Sequence, residues 1–388
     1  MLLPETVLIA GADGYLGWAL SMALASRGYE VVGIDNLSRR RNVEEIGSWS
    51  ALPIKTMLQR LSAFRNLYGK SITFVEGDLT NYVTVRDLIA SYKPTAIVHL
   101  GEQPSAPYSM IDVNHCVYTH TNNVVGTLNI LYAMHETSPD THLVKLGTMG
   151  EYGTPNLDIP EGFFEIEYKG RKDRLPFPRM AGSWYHWTKV HDSGNIMFAC
   201  KIWKLKSTDV MQGVVYGTRT DLITSPELFT RFDFDEVFGT AINRFCAQAV
   251  IDYPLLPYGK GHQKRGFIAL RDSIQCLTIA LENPPEKSEY RVFNQFDEVY
   301  SVGDLAERVE RHGRELGLSV KVDHIDDPRV EAEEHYYHPD SANLRKLGFK
   351  PTHTLDDELE IMLKDLMAHK ERIQAKRERI MPKPYWKR

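Results

Sequence analysis

The sequence predicts an α/β chain built on a doubly wound parallel sheet, joined to a smaller mixed α/β part. Three features carry that expectation. Short apolar runs alternate with amphipathic stretches through residues 1–217. The runs are nearly unbroken, as in strands that helices cover on both faces. A glycine-rich turn joins the first run to the first amphipathic stretch.

The expected strands are residues 6–10, 30–34, 71–75, 96–100, 143–147 and 208–215, several rich in Val and Ile. Helices are expected at 16–27 and 123–136. The connection 36–70 is long for a turn; Ile54, Met57, Leu58, Leu61, Phe64 and Leu67 mark it as a loop plus one extra helix. Its run Arg39-Arg40-Arg41 reads first as a solvated surface run and second as an anion contact. Residues 154–182 are rich in Pro, Gly and charge and are expected to drape over the site as a lid. Beyond Gly217 the alternation fades, and residues 355–388 read as a charged packing helix with a basic tail. The division expected is 1–217 for a dinucleotide-binding domain and 218–388 mainly for substrate, part of the latter returning to the first domain.

With 43% hydrophobic and 25% charged residues, disorder and fibrous structure are excluded. A net charge of −5 argues against a general nucleic-acid binder. No apolar stretch reaches the length of a membrane span, and a strand pattern at residue 6 leaves no room for a leader peptide. Cys116, Cys200, Cys246 and Cys276 form no C-x-x-C pair, so neither a metal site nor a disulfide framework is expected. These features predict a cytoplasmic protein.

Gly11, Gly14 and Gly17 form G-x-x-G-x-x-G between the first strand and first helix. Glycines there permit a tight turn and close approach of a pyrophosphate to the helix N-terminus. Asp35 follows 18 residues after Gly17, at the end of the second strand. A carboxylate there accepts from the adenosine ribose and repels a 2′-phosphate, so the expected cofactor is NAD on a Rossmann-type sheet.

Tyr185 and Lys189 are four residues apart, on one helical face. A tyrosine with a pKa of about 10 is a poor base at neutral pH, but a lysine cation and an oxidised nicotinamide both favour the phenolate. The phenolate then takes a proton from a sugar hydroxyl. Thr148 closes the fifth strand, where its hydroxyl meets the reacting oxygen.

With these residues in place, the sequence resembles the extended short-chain dehydrogenase/reductase family, the enzymes that remodel nucleotide sugars. Within it the likeness is to the sulfosugar synthases. It rests on residues 146–156 (LGTMGEYGTPN), 105–112 (SAPYSMID), 189–193 (KVHDS), 212–217 (QGVVYG) and 329–337 (RVEAEEHYY), which together span nearly the whole chain. The resemblance implies that UDP-glucose and sulfite are the substrates. Oxidation at C4 acidifies the C5 proton, the C6 hydroxyl leaves, sulfite adds at C6, and hydride returns to C4.

The resemblance also implies site residues. Tyr185 is the base, Lys189 lowers its pKa and holds the ribose, and Thr148 binds the reacting oxygen. Glu151 and His186 are candidates for the C5 and C6 proton transfers, although Glu151 reads equally as a cap and His186 as a packing residue. NAD would lie against Gly11, Gly14, Tyr15, Leu16, Gly17, Asp35, Asn36, Arg39, Asp78, Leu79, Leu100, Gly101, Glu102, Asn122, Tyr185, Lys189, Gln212 and Val215. Taken alone, Asp78 and Asn122 read as helix caps. The sugar nucleotide would meet Gln103, Ser105, Thr148, Tyr185, Gln212, Lys260, Arg265 and Arg329. A homodimer is expected. The sequence leaves open whether sulfite comes free or from a protein donor.

Two departures matter. Related 4,6-dehydratases carry Thr-Asp-Glu after the fifth strand; here Met149 and Gly150 follow Thr148, which disfavours ordinary dehydratase chemistry. Pro104 stands where the plant-type enzymes have an arginine near the sulfite position. A 4-epimerase or 4,6-dehydratase is the alternative enzyme reading. A non-catalytic relative is disfavoured because Thr148, Tyr185 and Lys189 are all retained.

Overall fold

The computed structural model describes residues 5–326 and 336–381. Its main sheet has seven strands, all parallel. These are β1 (Thr6–Ala10), β2 (Glu30–Asp35), β3 (Thr73–Glu76), β4 (Ala96–His99) and β5 (His142–Thr148), with β8 (Lys206–Gln212) and β11 (Tyr290–Gln295). Two antiparallel strands, β6 (Phe163–Tyr168) and β7 (Arg171–Pro176), form a separate hairpin. A three-stranded sheet joins β9 (Val214–Tyr216), β10 (Lys264–Ala269) and β12 (Glu298–Ser301).

The order across the main sheet is β11-β8-β5-β4-β1-β2-β3. Side chains alternate between its faces, and both faces are covered. Val7 and Ile9 join one core with Trp18, Phe245, Leu277 and Leu359. Leu8 and Ala10 join the other with Ile89, Ile130 and Ile196. The doubly wound expectation therefore holds, and strand order reverses between β1 and β4. At such a switch point the strand ends diverge and leave a crevice.

Several local expectations are corrected. The connection 36–70 carries two helices, Ser38–Glu45 and Met57–Tyr68. The first has no apolar stripe and is held by ions: Arg40 pairs with Asp13 at 2.6 Å and Arg39 with Asp233 at 2.7 Å. Arg39 and Arg40 are thus not part of a solvated run, whereas Arg41 stays exposed and donates to the Asn36 carbonyl. Within 154–182, residues 163–176 form the β6–β7 hairpin, turning through Lys169 and Gly170, both at positive φ. That backbone suits a two-residue hairpin turn, and a lysine disguises it in sequence.

The expected strand 208–215 is split at Gly213, where the chain passes from the main sheet to the small one. A Cβ there would lie 2.6 Å from the Gly266 carbonyl oxygen. The expected helix 123–136 is the end of a longer run. Helix Val113–His120 continues through a π turn, Thr121–Val125, into helix Gly126–Thr137. The expected C-terminal helix stops at Met367, with Leu355, Leu359, Met362, Leu363 and Leu366 fully buried in the core.

Candidate active site

A cleft of about 330 Å³ opens where β1 and β4 part. The glycine turn forms one wall. Gly11 takes a positive φ of 89°, and a Cβ at Gly17 would lie 1.9 Å from the Gly11 carbonyl oxygen, so both positions demand glycine. Helix Tyr15–Ser26 starts at Gly14 with neither a side-chain cap nor an acidic residue in its first turn. Its first N–H groups are left to the cleft.

Asp35 lines the cleft at the end of β2 and accepts from the Asp13 and Leu37 N–H groups at 2.9 and 2.7 Å. Burial, aided by nearby Asp13, pushes its carboxyl up to about 6. Asp78 does not line the cleft. It accepts from Asn36 and Thr80 and orders the turn before helix Tyr82–Tyr92, while its neighbours Gly77 and Leu79 form the wall. The structure brings Tyr15, Leu16, Asn36, Arg39, Leu100, Gly101, Glu102, Asn122, Gln212 and Val215 to the same cleft. Asn122 sits in the π turn, inside a continuous helical run, and so caps nothing.

Thr148, Tyr185 and Lys189 meet at the far end. Thr148 caps the short turn Met149–Glu151, its Oγ1 accepting the Gly150 N–H at 3.1 Å. Tyr185 and Lys189 lie in the first turns of helix Trp184–Trp203, which Ser183 caps. The Lys189 ammonium donates to the Leu146 carbonyl at 2.6 Å and sits 5.8 Å from the Tyr185 ring centre.

Electrostatically, the site departs from expectation. Glu102 is ion-paired with both Lys189 and Lys145, and all three side chains are at most 5% exposed. Burial opposes the Glu102 carboxylate, yet the two lysines outweigh it and hold the group well below the usual range. Burial and the Glu102 charge hold the Tyr185 phenol well above its ordinary value. Lys189 is itself lowered by burial. The nearby cations do not make Tyr185 acidic: burial outweighs them, and the Glu102 charge opposes them.

Several expected residues are used elsewhere. Glu151 is fully buried outside the cleft: it accepts from the Thr148 N–H and from Ser193, and pairs with Arg179. It caps the turn Met149–Glu151. Gln103 donates to Thr119 and the Ser105 carbonyl, and the Ser105 hydroxyl donates to the Val237 carbonyl. Both are buried within the fold, whereas Pro104 between them does line the cleft. His186 packs beside the cleft, with Nδ1 2.9 Å from Ser183 Oγ. Lys260 is exposed and Arg265 half-buried, neither among the residues lining this cleft. Arg329 lies outside the described residues. None of 154–182 is among the residues lining the cleft, and Phe177, just after the hairpin, packs with Met149, Tyr152 and Val292.

Sequence reasoning missed Arg231, Asp233, Phe238, Thr240 and Asn243, which also line the cleft. Asp233 holds Arg39 and Arg231 together. Lys145 was also missed, although a lysine inside an apolar strand run demands a buried counter-charge.

Comparison with known proteins agrees with this geometry. Over 98% of both chains, the sequence is 52% identical to the UDP-sulfoquinovose synthase of Sulfolobus acidocaldarius. It is 48% identical to the chloroplastic UDP-sulfoquinovose synthase of Spinacia oleracea, over 99% of this chain and 80% of that one. The fold matches the UDP-glucuronic acid 4-epimerase of Bacillus cereus, solved with UDP-glucuronic acid and NAD. The TM-score is 0.69 at 21% identity, over 94% of this chain and 99% of that one. The profile of the NAD dependent epimerase/dehydratase family matches residues 7–295, and the chain belongs to that family.

Proposed function

We propose that this chain forms UDP-sulfoquinovose from UDP-glucose and sulfite, with NAD held in the glycine-lined cleft. One observation carries the reading. Thr148, Tyr185 and Lys189 line the same cleft as the glycine turn, in a chain half identical to enzymes named for that product.

The residues present fit NAD. The uncapped start of helix Tyr15–Ser26 suits a pyrophosphate, and Asp35 retains acceptor capacity for ribose hydroxyls. Arg39 and Arg40 are each paired with a carboxylate, which disfavours a 2′-phosphate. When bound, NAD supplies a two-electron acceptor and donor next to the sugar. Because Thr148 accepts the Gly150 N–H, its own hydroxyl proton is left to donate to the C4 oxygen. Tyr185 takes the proton from that oxygen, and Lys189 orients ribose and phenol.

The second turn of the site favours sulfosugar formation over simple dehydration. A Cβ at Gly150 would lie 2.4 Å from His186 Nε2. A carboxylate at that position and His186 in this pose therefore exclude one another. We assign the C5 and C6 proton transfers to His186, and to Glu151 only the support of Thr148. Lys260, Arg265 and Arg329 are proposed for the UDP diphosphate, since a net acidic chain must concentrate cations there. Residues 1–217 with β11 form the NAD part, and the rest of 218–388 the sugar-nucleotide part.

A homodimer is proposed through two adjacent helical runs. Val113, Val117 and Tyr132 on one, and Trp184, Phe198 and Ile202 on the other, stay exposed. Burying such side chains against a second copy stabilises by about 25 cal/mol per Å² of apolar surface. The test of function is incorporation of radiolabelled sulfite into the nucleotide-sugar fraction. Absence of label while UDP-glucose is epimerised would select the epimerase reading.

A further inference from the structure

Behind the Tyr185–Lys189 pair lies a buried chain of charges that the reaction scheme does not use. Glu102, just beyond β4, bridges Lys189 and Lys145. Lys145, on β5, lies 3.3 Å from Asp192 of helix Trp184–Trp203, and all of these side chains are nearly sealed from solvent. His99, at the end of β4, faces the same carboxylate at 3.4 Å and is held neutral by burial. Asp209 of β8 adds its field to Lys145, and Arg39 acts on Tyr185 from across the cleft.

Glu102 and two lysines in so little space are costly to bury, and burial pushes the Asp192 carboxyl beside them well above the usual carboxylate range. A fold needing only Lys189 to hold a ribose has no use for a second buried lysine and two carboxylates. We propose that Glu102 and Lys145 are positioning residues for Tyr185: Glu102 fixes Lys189 and withholds its field from the phenol, and Lys145 sets how much of that field Glu102 cancels. The phenol then stays protonated until a cationic nicotinamide and a sugar hydroxyl are both beside it. This rests on Tyr185 being the base of the proposed reaction.

Opposite signs separate this role from a structural one. Glu102→Gln frees the Lys189 field and favours phenolate. Lys145→Met leaves Glu102 less compensated and favours phenol. In protein loaded with NAD and given UDP-glucose, the absorbance of reduced cofactor at 340 nm reports the half-reaction. Its acidic limb should move down by about one pH unit or more in Glu102→Gln and move up in Lys145→Met. The double variant should fall between Glu102→Gln and wild type, and it keeps the test available if one single variant does not fold. Unmoved limbs, or shifts of one sign in both single variants, would overturn the proposal.

A second readout needs no cofactor. In protein labelled at tyrosine Cζ with carbon-13, the Tyr185 signal is assigned by its loss in Tyr185→Phe. That signal should remain that of phenol to high pH in wild type and titrate earlier in Glu102→Gln. The same midpoint in both would also overturn the proposal. If no sugar is oxidised by wild type at any pH, the functional reading fails, and this titration still decides the role of Glu102.

Discussion

Asp13 and Arg60 form an ion pair that water barely reaches: Nη1 lies 2.9 Å from Oδ1, with side chains 2% and 0% exposed. Asp13 belongs to the glycine turn and Arg60 to the second helix of the 36–70 connection, so the pair fastens that insertion to the cofactor wall. Arg40 takes the same carboxylate at 2.6 Å, and the Arg60 guanidinium lies 4.2 Å from the Trp18 ring centre. Asp13→Asn leaves Arg60 buried without a counter-charge and should cost about 3–5 kcal/mol. Arg60→Met should cost less, because Asp13 keeps Arg40. Urea midpoints of the two variants check the order.

Tyr185→Phe removes one phenol oxygen at a site with few other bases. Turnover should fall by at least about 100-fold, while calorimetry should find UDP-glucose binding largely intact.

Asp35 links stability to cofactor binding. Its carboxyl is pushed up to about 6 by burial and by Asp13, so the protonated form is the one the fold prefers. The penalty is absent below the unfolded value near 4, grows as pH rises through about 6, and is then constant. Asp35→Asn removes this pH-dependent penalty, so the stability of the variant relative to wild type should improve by about 1–3 kcal/mol between pH 4 and pH 7, whatever the constant cost of facing an amide NH2 toward the Asp13 or Leu37 N–H. The same change should weaken NAD binding. Thermal melts at the two pH values, with and without NAD, read both effects.

Glu151 supports Thr148 from inside the fold. Glu151→Ala should lower the melting temperature by leaving Arg179 without its buried partner. Glu151→Gln combined with Arg179→Met replaces the pair by neutral groups and should recover most of that loss. If the double variant regains turnover as well, Glu151 carries no proton in the reaction.

The legible part of this protein was what local chemistry dictates. Gly11, Gly14 and Gly17 announce a turn because no other residue fits at least two of those positions, and Asp35 follows from the geometry of the next strand. Tyr185 and Lys189 share a helix face by spacing alone. Less legible were features that only the fold completes. Helix Ser38–Glu45 has no apolar period because ion pairs to Asp13 and Asp233 hold it. Glu102 and Lys145 are 43 residues apart and meet only because β4 and β5 are neighbours. Glu151 reads in sequence both as an acid and as a cap because the two share one spelling, and the structure shows the cap. Gln103 and Ser105 were placed near the sugar by resemblance, and the backbone around them claims both side chains.

The most direct measurement is mass spectrometry of the nucleotide sugar after the purified protein meets UDP-glucose, with and without sulfite. A UDP-hexose in which a sulfonate has replaced one hydroxyl should form, and only with sulfite. Recovery of UDP-galactose or a free 4-keto sugar as the sole product under both conditions would contradict it.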